Sequence, residues 1–412
     1  MVFSPQPLAD SHNARVARLI DEAERTLDIA MYSFTDAGIR AALAAATARG
    51  VEVRFLYETA SEDRKLAGAA LQDSPSGRLE QDGVDVRWVN KILHHKFMIV
   101  DGPRDDLAAA DGAHLVTGSG NWSRGAAAIY DENTLFLRGE RELVLRVQQE
   151  FELLWTHSRE FAGDPAPSSR PSTLTLTDAM IADEPGVDVY FTSANFDLRG
   201  GDTFVASGRE AVGDALAAAI AGASESIDVA SSHLRLRAVA EALIARAADP
   251  ELKIRVYLDG QEYIAAATHA AQAKALDDCF EQAGADPAKR RECEDRGFLF
   301  GYAVGEAGVA VRYKYYAYRW HASYAEQMHH KYLVIDGDEL WTGSYNLSDN
   351  AEHNTFENML VFRGPAYAEL VARFADNFSP SGTPAATTGA WPRCRATSRT
   401  AARCRWCSRR WR

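Results

Sequence analysis

A nine-residue stretch occurs twice in this chain, as HHKFMIVDG over residues 94–102 and as HHKYLVIDG over residues 329–337. The segments around the two copies repeat as well. Before each copy comes an amphipathic helix, an alternating strand, a second helix and a second strand, namely ARVARLIDEAER, TLDIAMYSF, AGIRAALAAATARG and VEVRFLYE in the first half and GDALAAAIAGASE, SIDVASSHL, RAVAEALIARAADP and LKIRVYLDG in the second. The chain is therefore predicted to be a duplication of one α/β unit.

The limits of the two units follow from length and composition. At 412 residues the chain is long enough for two domains of ordinary size. Residues 157–186 are rich in Pro, Ser and Asp, which predicts a linker. We therefore expect an N-terminal domain over residues 1–156, a C-terminal domain over 187–378 and a basic, disordered tail over 379–412. The first domain begins at VFSPQ, so its edge strand is expected to be short or clipped beside VDVYFTSANFD in the second.

Charge and hydropathy exclude some classes of protein. The formal net charge is −13, and because eight arginines and no acidic residue lie in the tail, the body is left with 37 basic and 58 acidic residues, or −21. Such a body is not typical of a protein that coats nucleic acid, although a local basic groove is compatible with it. The sequence has no apolar run of about 18 residues and no apolar core of a secretory signal at its start. We therefore expect a soluble chain. The sequence does not assign its compartment and is compatible with peripheral membrane contact and with secretion.

The cysteines allow more than one interpretation. Cys279 and Cys293 bracket FEQAGADPAKRRE and are either free thiols or a disulfide. The other three, Cys394, Cys404 and Cys407, lie in the tail, where the paired spacing and the histidine partner of a zinc site are missing.

The repeated stretch places chemical groups on one face of a strand. Because side chains alternate along a strand, the first His and the Lys of each copy point to the same side. These residues are His94 and Lys96 in the first copy and His329 and Lys331 in the second. The second His of each copy, His95 or His330, points the other way and is predicted to be structural.

A second repeated segment, GSGN or GSYN, follows each copy. Its small residues let a ligand approach the backbone, and its Asn supplies amide donors. The segments contribute Ser119, Asn121, Ser344 and Asn346. We predict that they bind a phosphate, with the two Ser hydroxyls in a phosphate or turn role and not as nucleophiles.

The spacing of the second copy is that of a known family. His329, Lys331 and Asp336 are followed, six residues later, by Gly-Ser-x-Asn at 343–346. This resembles the His-x-Lys-x4-Asp-x6-Gly-Ser-x-Asn signature of the phospholipase D superfamily, and the resemblance covers nearly the whole body in both halves. The first copy departs from it only in having 16 residues between Asp101 and Gly118, which predicts a longer hairpin loop.

The resemblance implies two homologous α-β-α phospholipase D-like domains related by a pseudo-twofold axis, with one active site per chain at their interface. His94 would attack phosphorus and form a phosphohistidine, while His329 would protonate the leaving oxygen. One ring would stay neutral and the other protonated. The phosphoryl charge would be neutralised by Lys96, Lys331, Asn121 and Asn346. No metal or other cofactor is then required.

Two pairs of acidic residues accompany the motif. Glu132 and Glu357, in DENT and FENM, are predicted to orient the histidine rings by hydrogen bonds. Asp101 and Asp336 end their strands and are predicted to be structural, as a salt bridge or a turn cap.

The substrate is less constrained than the reaction. The leading expectation is a phospholipid at a membrane surface, with hydrolysis or transfer of its head group. The alternatives are a nucleic acid, as for the endonucleases of the same superfamily, and a cardiolipin synthase-like phosphatidyl transfer. A binding protein with a disabled site is disfavoured, because both copies keep His, Lys and Asn.

An aromatic segment, VRYKYYAYRWHASY, precedes the second copy. Its aromatic residues are Tyr313, Tyr315, Tyr316, Tyr318, Trp320 and Tyr324. They are compatible with a rim at a lipid interface, with a base-stacking surface assisted by Lys314 and Arg319, or with ordinary strand packing.

Overall fold

The computed structural model describes residues 1–161, 169–294, 296–316 and 325–379. The predicted tail, apart from its first residue, lies outside the described residues. So do Tyr318, Arg319, Trp320 and Tyr324 of the aromatic segment.

The first half is a mixed sheet with helices on its faces. Its strands are β1 (Val2–Ser4), β2 (Thr26–Met31), β3 (Glu52–Tyr57), β4 (Asp85–Trp88), β5 (Ile92–Leu93), β6 (Lys96–Val100), β7 (His114–Gly118), β8 (Glu132–Arg138) and β9 (Arg159–Glu160). Its helices are α1 (His12–Glu22), α2 (Ala37–Ala48), α3 (Ala60–Asp63), α4 (Ala69–Gln72), α5 (Pro75–Gln81), α6 (Arg124–Ala128) and α7 (Arg141–Thr156).

The second half repeats this arrangement with additional helices. Its strands are β10 (Val187–Phe191), β11 (Phe196–Arg199), β12 (Thr203–Ala206), β13 (Ser226–Ser231), β14 (Lys253–Leu258), β15 (Ala310–Tyr313), β16 (Lys331–Ile335), β17 (Glu339–Gly343), β18 (Thr355–Phe356) and β19 (Asn358–Arg363). Its helices are α8 (Ala211–Gly222), α9 (Arg237–Arg246), α10 (Ala266–Ala283), α11 (Pro287–Glu294), α12 (Gly301–Glu306), α13 (Asp349–Asn354) and α14 (Ala368–Phe378).

The two main sheets have corresponding strand orders. Among the described residues the first is β1-β8-β7-β6-β2-β3-β4-β9 and the second is β10-β19-β17-β16-β13-β14-β15. In each, the β–α–β unit read from the sequence gives a parallel pair, β2 with β3 and β13 with β14. The strand that carries the Lys then pairs antiparallel with the first of them. The predicted duplication and α/β class are confirmed, and β1 is the short edge strand that corresponds to β10.

Local sequence accounts for the helix starts and the buried strands. Ser11 and Asp36 cap α1 and α2, because their side chains accept hydrogen bonds from the backbone N–H groups of Ala14 and Ile39. The strands β6 and β16 are buried along their whole length, as their continuous apolar runs require. Within the described ranges, none of the helices is long and apolar enough to cross a bilayer.

The predicted linker takes part in the first half. Residues 159–160 form β9, which pairs with β4, and the backbone N–H and hydroxyl of Ser169 donate to Asp85. The hydroxyl of Ser172 donates to Glu152 of α7. A composition rich in Pro, Ser and Asp does not distinguish a free linker from a segment held by side-chain hydrogen bonds. The domain limits of 156 and 187 stay a prediction.

The cysteine question has an answer in the structure. Cys279 of α10 and Cys293 of α11 form a disulfide with an S–S distance of 2.00 Å. The bond joins a helical hairpin in the long connection between β14 and β15, a connection that holds only α3, α4 and α5 in the first half.

The interior of the first half contains an ion-pair network. The side chain of Arg54 is fully buried, and its Nε and Nη2 lie 2.6 and 2.9 Å from the two carboxylate oxygens of Asp28. Its Nη2 also lies 2.5 Å from Glu152. Burial opposes ionisation of Asp28, yet Arg104 and Arg54 hold the pKa of this carboxyl well below its usual range. The corresponding pair of the second half, Arg255 with Asp228, has its Arg side chain 46% exposed.

These two pairs give a matched test of burial. Arg54→Met should lower the free energy of unfolding by up to about 3–5 kcal/mol, because it removes one of the two arginines that neutralise the buried Asp28. Arg255→Met, at the corresponding position, should cost less, about 1 kcal/mol, because the guanidinium of Arg255 is half-exposed to water although Asp228 is buried. Urea unfolding of both variants measures the difference. An equal loss of unfolding free energy in both variants would contradict the inference that the buried Arg54–Asp28 pair stabilises the protein more than the Arg255–Asp228 pair does.

Candidate active site

Each His-x-Lys segment is fixed by the other half of the molecule. His94 follows β5, which pairs in parallel with β18, and its backbone N–H donates to the carbonyl of Phe356 at 3.0 Å. His329 is held in the same way, because its N–H donates to the carbonyl of Asp131 at 3.0 Å. The two segments therefore meet where the halves exchange backbone hydrogen bonds, as the sequence predicted.

The first histidine of each copy is paired with a carboxylate from the opposite half. Nδ1 of His94 lies 2.7 Å from Oε1 of Glu357, and Nδ1 of His329 lies 2.7 Å from Oε1 of Glu132. Both carboxylates are buried. The sequence predicted that Glu132 and Glu357 orient the rings, but only the tertiary structure shows that each serves the histidine of the other half.

The lysines lie beside these rings. Nζ of Lys96 donates to the backbone carbonyl of His94 at 2.8 Å and lies 3.1 Å from both nitrogens of its ring. Nζ of Lys331 donates to the carbonyl of His329 at 2.8 Å and lies 3.4 Å from Oγ of Ser232. The expected common face of His and Lys is therefore present in both copies.

Burial dominates the electrostatics of the cleft. It lowers the pKa of His94 and of His329 well below the ordinary value, and the neighbouring lysines lower both further. Burial also lowers the pKa of Lys96 to about 7 and of Lys331 to about 8. Both rings shift in the same direction because both are buried beside the same two lysines, and the expected division into one neutral and one protonated ring stays a prediction.

The acidic partners shift in the opposite direction. Burial raises the pKa of Glu132 and of Glu357 to about 7, although the lysines oppose the change. The cleft thus holds carboxyl and ammonium groups that both titrate near neutrality. Such perturbed groups are typical of sites that transfer protons.

The asparagines of Gly-Ser-x-Asn flank the histidines. Oδ1 of Asn346 accepts a hydrogen bond from Oγ of Ser232 at 3.0 Å, and Ser232 in turn touches Lys331. Oδ1 of Asn121 has no hydrogen-bond partner among the described residues. The backbone carbonyl of Asn121 lies 2.9 Å from Nε2 of His12. The predicted phosphate role of both amides stays a prediction.

The serines of this segment are fully buried. Oγ of Ser119 accepts the backbone N–H of Asn133 at 2.9 Å, and Oγ of Ser344 accepts that of Asn358 at 3.0 Å. Their hydroxyls also lower the pKa of Glu132 and Glu357 by hydrogen bonding, against the effect of burial. These contacts favour the turn role over direct phosphate binding. The preceding glycine is required, because a Cβ at Gly118 would lie 2.4 Å from a backbone carbonyl.

The aspartates of the motif cap turns. Asp101 adopts a φ of 54°, and its carboxylate accepts three backbone N–H groups at the start of β2, those of residues 24–26. Asp336, at a φ of 52°, does the same for residues 224–226 before β13. Aspartate tolerates this left-handed conformation better than most side chains. The turn-cap alternative for Asp101 and Asp336 agrees with these contacts.

The second histidines point away from the cleft, as predicted. Nε2 of His95 lies 3.2 Å from Glu150, and its Nδ1 lies 3.2 Å from the amide of Asn358. His330 likewise contacts the amide of Asn133 at 3.3 Å. Neither asparagine was predicted from the sequence. The signal that could have found them is the Asn that follows each predicted orienting Glu, in DENT and FENM.

A family model agrees with this arrangement. The model described as the cardiolipin synthase, phospholipase D-like domain matches residues 16–155 and 216–380, one match in each half and together most of the chain. The chain belongs to the phospholipase D-like family.

Curated relatives of this phospholipase D-like chain match over part of their length. A mitochondrial cardiolipin hydrolase of Xenopus tropicalis is 32% identical over 153 residues, which is 37% of this chain and 64% of the relative. A phospholipase D of Rickettsia conorii is 29% identical over 125 residues, 30% of this chain and 55% of the relative. The chain thus spans less than two thirds of the length of these relatives.

Solved structures of other proteins have a similar fold. The match to the phosphatidylserine synthase of Haemophilus influenzae includes 91% of this chain and 87% of that protein, with a TM-score of 0.51 and 11% identity. The polyphosphate kinase of Porphyromonas gingivalis is covered over 45% by 89% of this chain, with a TM-score of 0.50 and 16% identity. At these identities the likeness concerns the fold alone.

Two further acids support the phospholipase D-like site and were missed in the sequence. Glu58 accepts the backbone N–H of Leu93 at 2.6 Å, and Asp259 accepts that of Met328 at 2.8 Å. Leu93 and Met328 immediately precede the two histidines of the cleft. The available signal was an acid at the end of the second strand of each unit, in FLYE and VYLDG.

The described part of the aromatic segment is engaged within the protein. Lys314 pairs with Asp131 of the other half at 2.7 Å, and the hydroxyl of Tyr316 donates to Asp259 at 2.8 Å. Tyr315 is exposed. Lys314 thus serves the contact between the halves, which counts against its predicted role in binding nucleic-acid phosphates.

A possible metal-ligand group lies in the second half. Among the described residues, Glu210, Asp349 and His353 have ligand atoms close enough together to hold an ion. Nδ1 of His353 already lies 3.1 Å from Asp349, and its Nε2 lies 3.8 Å from Glu210. The group contains none of the His and Lys residues of the cleft, and we assign it no role in the chemistry.

Proposed function

We propose that the protein is a phosphodiesterase that cleaves the head group of a phospholipid through a phosphohistidine intermediate. The observation that carries the proposal is the pair of cross-half contacts, in which Nδ1 of each histidine lies 2.7 Å from a buried glutamate of the other half. A ring fixed at Nδ1 presents Nε2 as its reactive nitrogen. Two such rings beside two lysines suit a single phosphodiester bound between the halves.

In the first step Nε2 of His94 attacks phosphorus, and the bond from phosphorus to the leaving oxygen breaks. His329 gives its Nε2 proton to that oxygen. In the second step His329 takes a proton from water or an alcohol, whose oxygen attacks phosphorus while the bond to His94 breaks. Lys96 and Lys331 neutralise the phosphoryl oxygens throughout, because a fixed ammonium group in a buried cleft stabilises developing negative charge.

Substrate binding favours protonation of one ring. A phosphodiester brings a negative charge between the lysines, which favours protonation of a neighbouring imidazole. We assign the proton to His329 and the attack to His94 by resemblance to the phospholipase D superfamily, in which the first copy of the motif supplies the nucleophile. Glu132, at 2.7 Å from Nδ1 of His329, stabilises the resulting imidazolium.

The proposal of a lipid substrate rests on less specific evidence than the proposal of the reaction. Relatives are named a mitochondrial cardiolipin hydrolase and a phospholipase D. The engagement of Lys314 by Asp131 points in the same direction. A nuclease remains the second candidate because the superfamily contains both.

The experiment presents phosphatidylcholine, phosphatidylethanolamine and cardiolipin vesicles beside single- and double-stranded DNA. We expect lipid head groups to be released at least about tenfold faster than DNA is cut, a difference of about 1.4 kcal/mol in transition-state binding. Formation of phosphatidic acid, head-group release and DNA cleavage are measured at several salt concentrations. Cleavage of single-stranded DNA that falls steeply with salt, beside inert vesicles, would assign the protein to the nucleases.

A further inference from the structure

A third histidine stands at the edge of the cleft, in the second half only. His233 lies two residues beyond the end of β13 and directly follows Ser232, whose hydroxyl touches Lys331 and Asn346. His233 is thus one residue from a hydroxyl that contacts the cleft lysine of the second half.

His233 belongs to a group of three charged side chains. Oε1 of Glu262 accepts from Nδ1 of His233 at 2.9 Å and from Nη2 of Arg235 at 2.7 Å. The backbone of Arg235 is bound to the segment after Asn346, since its N–H donates to the carbonyl of Leu347 at 2.7 Å. The group thus flanks the Gly-Ser-x-Asn segment of the second half.

The exposure of these residues determines the charge that a ligand meets. The side chain of Glu262 is 1% exposed, whereas those of His233 and Arg235 are 34% and 37% exposed. Burial opposes ionisation of Glu262, but the hydrogen bonds from His233 and Arg235 lower its pKa, so the carboxylate is ionised. With the carboxylate buried beneath the two half-exposed bases, the guanidinium of Arg235 is the positive charge at this surface, and His233 lies beside it.

The first half lacks this group. The backbone N–H of Tyr32 donates to the carbonyl of His95, and that of Ser232 donates to the carbonyl of His330. Tyr32 and Ser232 therefore occupy corresponding positions. It follows that Ser33 corresponds to His233 and Thr35 to Arg235. Glu58 accepts the backbone N–H of Leu93, and Asp259 accepts that of Met328, so these two acids occupy corresponding positions. It follows that Ser61 corresponds to Glu262. Three uncharged residues therefore occupy the corresponding positions, and the positive surface is not a requirement of the fold or of the duplicated chemistry.

We propose that His233 and Arg235, held by Glu262, form a subsite for a second anionic group of the substrate, a phosphate or a carboxylate in the head group. The reactive phosphodiester occupies the cleft between the lysines, and the second anion meets the two bases at its edge. Glu262 acts as a positioning residue. The inference rests on the proposed function and adds selectivity for head groups that carry their own negative charge.

The test replaces His233 and Arg235 by the uncharged residues at the corresponding positions of the first half. The double variant His233→Ser, Arg235→Thr and both single variants are assayed on mixed micelles of cardiolipin, phosphatidylserine or phosphatidylcholine. We expect the double variant to lose about 10- to 100-fold more kcat/KM on the two anionic lipids than on phosphatidylcholine, mainly through KM, because hydrogen bonds to charged groups are the strong ones. Cardiolipin tests a second phosphate and phosphatidylserine a carboxylate.

The control removes one positive charge nearby without touching the group. Arg237 lies two residues further along, pairs with Glu241 and is 37% exposed. Arg237→Gln should leave the ratio of anionic to zwitterionic turnover unchanged. An equal loss of the ratio in Arg237→Gln and in Arg235→Thr, or an unchanged ratio in the double variant, would overturn the subsite.

A binding measurement separates this inference from the proposed function. Calorimetry compares glycerol 1,3-bisphosphate with glycerol 1-phosphate, neither of which is a phosphodiester. The wild-type protein should bind the bisphosphate at least about tenfold more tightly, and the double variant should lose that preference. Turnover of phosphatidylcholine without this preference refutes the subsite alone. A preference without turnover of any lipid refutes the proposed function and keeps the subsite.

Discussion

His94→Ala and His329→Ala are each expected to lower kcat on the preferred phosphodiester by about 10⁴-fold or more. The two rings act as a unit, so that loss of either one costs nearly as much as loss of both. Both are held at Nδ1 by a glutamate of the other half, and neither can replace the other without a new contact. Steady-state kinetics of the two single variants and the double variant measure the effect.

The roles of the two rings are separated by trapping the intermediate. In His329→Ala a labelled substrate, quenched rapidly, should leave phosphate on a histidine, because the nucleophile His94 is intact. In His94→Ala no label should remain. Label on the protein in the second variant and not in the first would reverse the assignment of nucleophile and acid.

The neighbouring histidines supply the control. His95→Gln keeps a polar side chain near Glu150 and Asn358, the two groups that the ring contacts. It should retain activity within about tenfold of the wild type once folding is confirmed by circular dichroism, because this side chain points away from the cleft. A loss as large as that of His94→Ala in a folded protein would contradict the assignment of faces.

Glu132→Gln should lower kcat by about 10²- to 10⁴-fold while KM changes little. The substitution keeps the shape of the side chain but removes the charge that stabilises the protonated form of His329. Loss of a neighbouring negative charge lowers the pKa of an imidazole. The high-pH limb of the kcat profile, which reports the proton on His329, should therefore move to lower pH.

Glu357→Gln provides the companion measurement, and Glu150→Gln the control. In Glu357→Gln the pKa of His94 should fall, so the low-pH limb of the profile, which reports neutral His94, should move to lower pH. Glu150 holds His95 at 3.2 Å and has the same chemistry outside the cleft. Glu150→Gln should leave both limbs in place. A shift of the profile in this variant would show that the glutamates act through general electrostatics and not through contact with the reactive rings.

Much of the site was predictable because it is encoded in local order. The alternation of a strand puts His94 and Lys96 on one side and His95 on the other, and their contacts agree with that prediction. The left-handed turn at Asp101 and the close packing at Gly118 are likewise properties of a few neighbouring residues. The duplication repeats these local patterns, which is why the correspondence of the two sheets could be read from the sequence.

The contacts between the halves could not be read in this way. Which glutamate serves which histidine depends on how the two sheets face each other, and the sequence alone is compatible with pairing inside each half. The same applies to Asn133 and Asn358, whose amides reach the second histidine of the opposite half. The pKa shifts of the cleft also depend on burial, which arises only when both halves close around the four basic groups.

The sequence by itself determined the α/β class and the duplication, because these follow from periodicity and from repeated spacing, and its motif supplied the residues that we propose to react. The tertiary structure alone decided the exchange of glutamates between the halves, the disulfide of Cys279 and Cys293, and the positively charged group over Glu262. Each of these joins residues on different elements, and such pairings are set by the three-dimensional packing of the chain and not by the order of its residues.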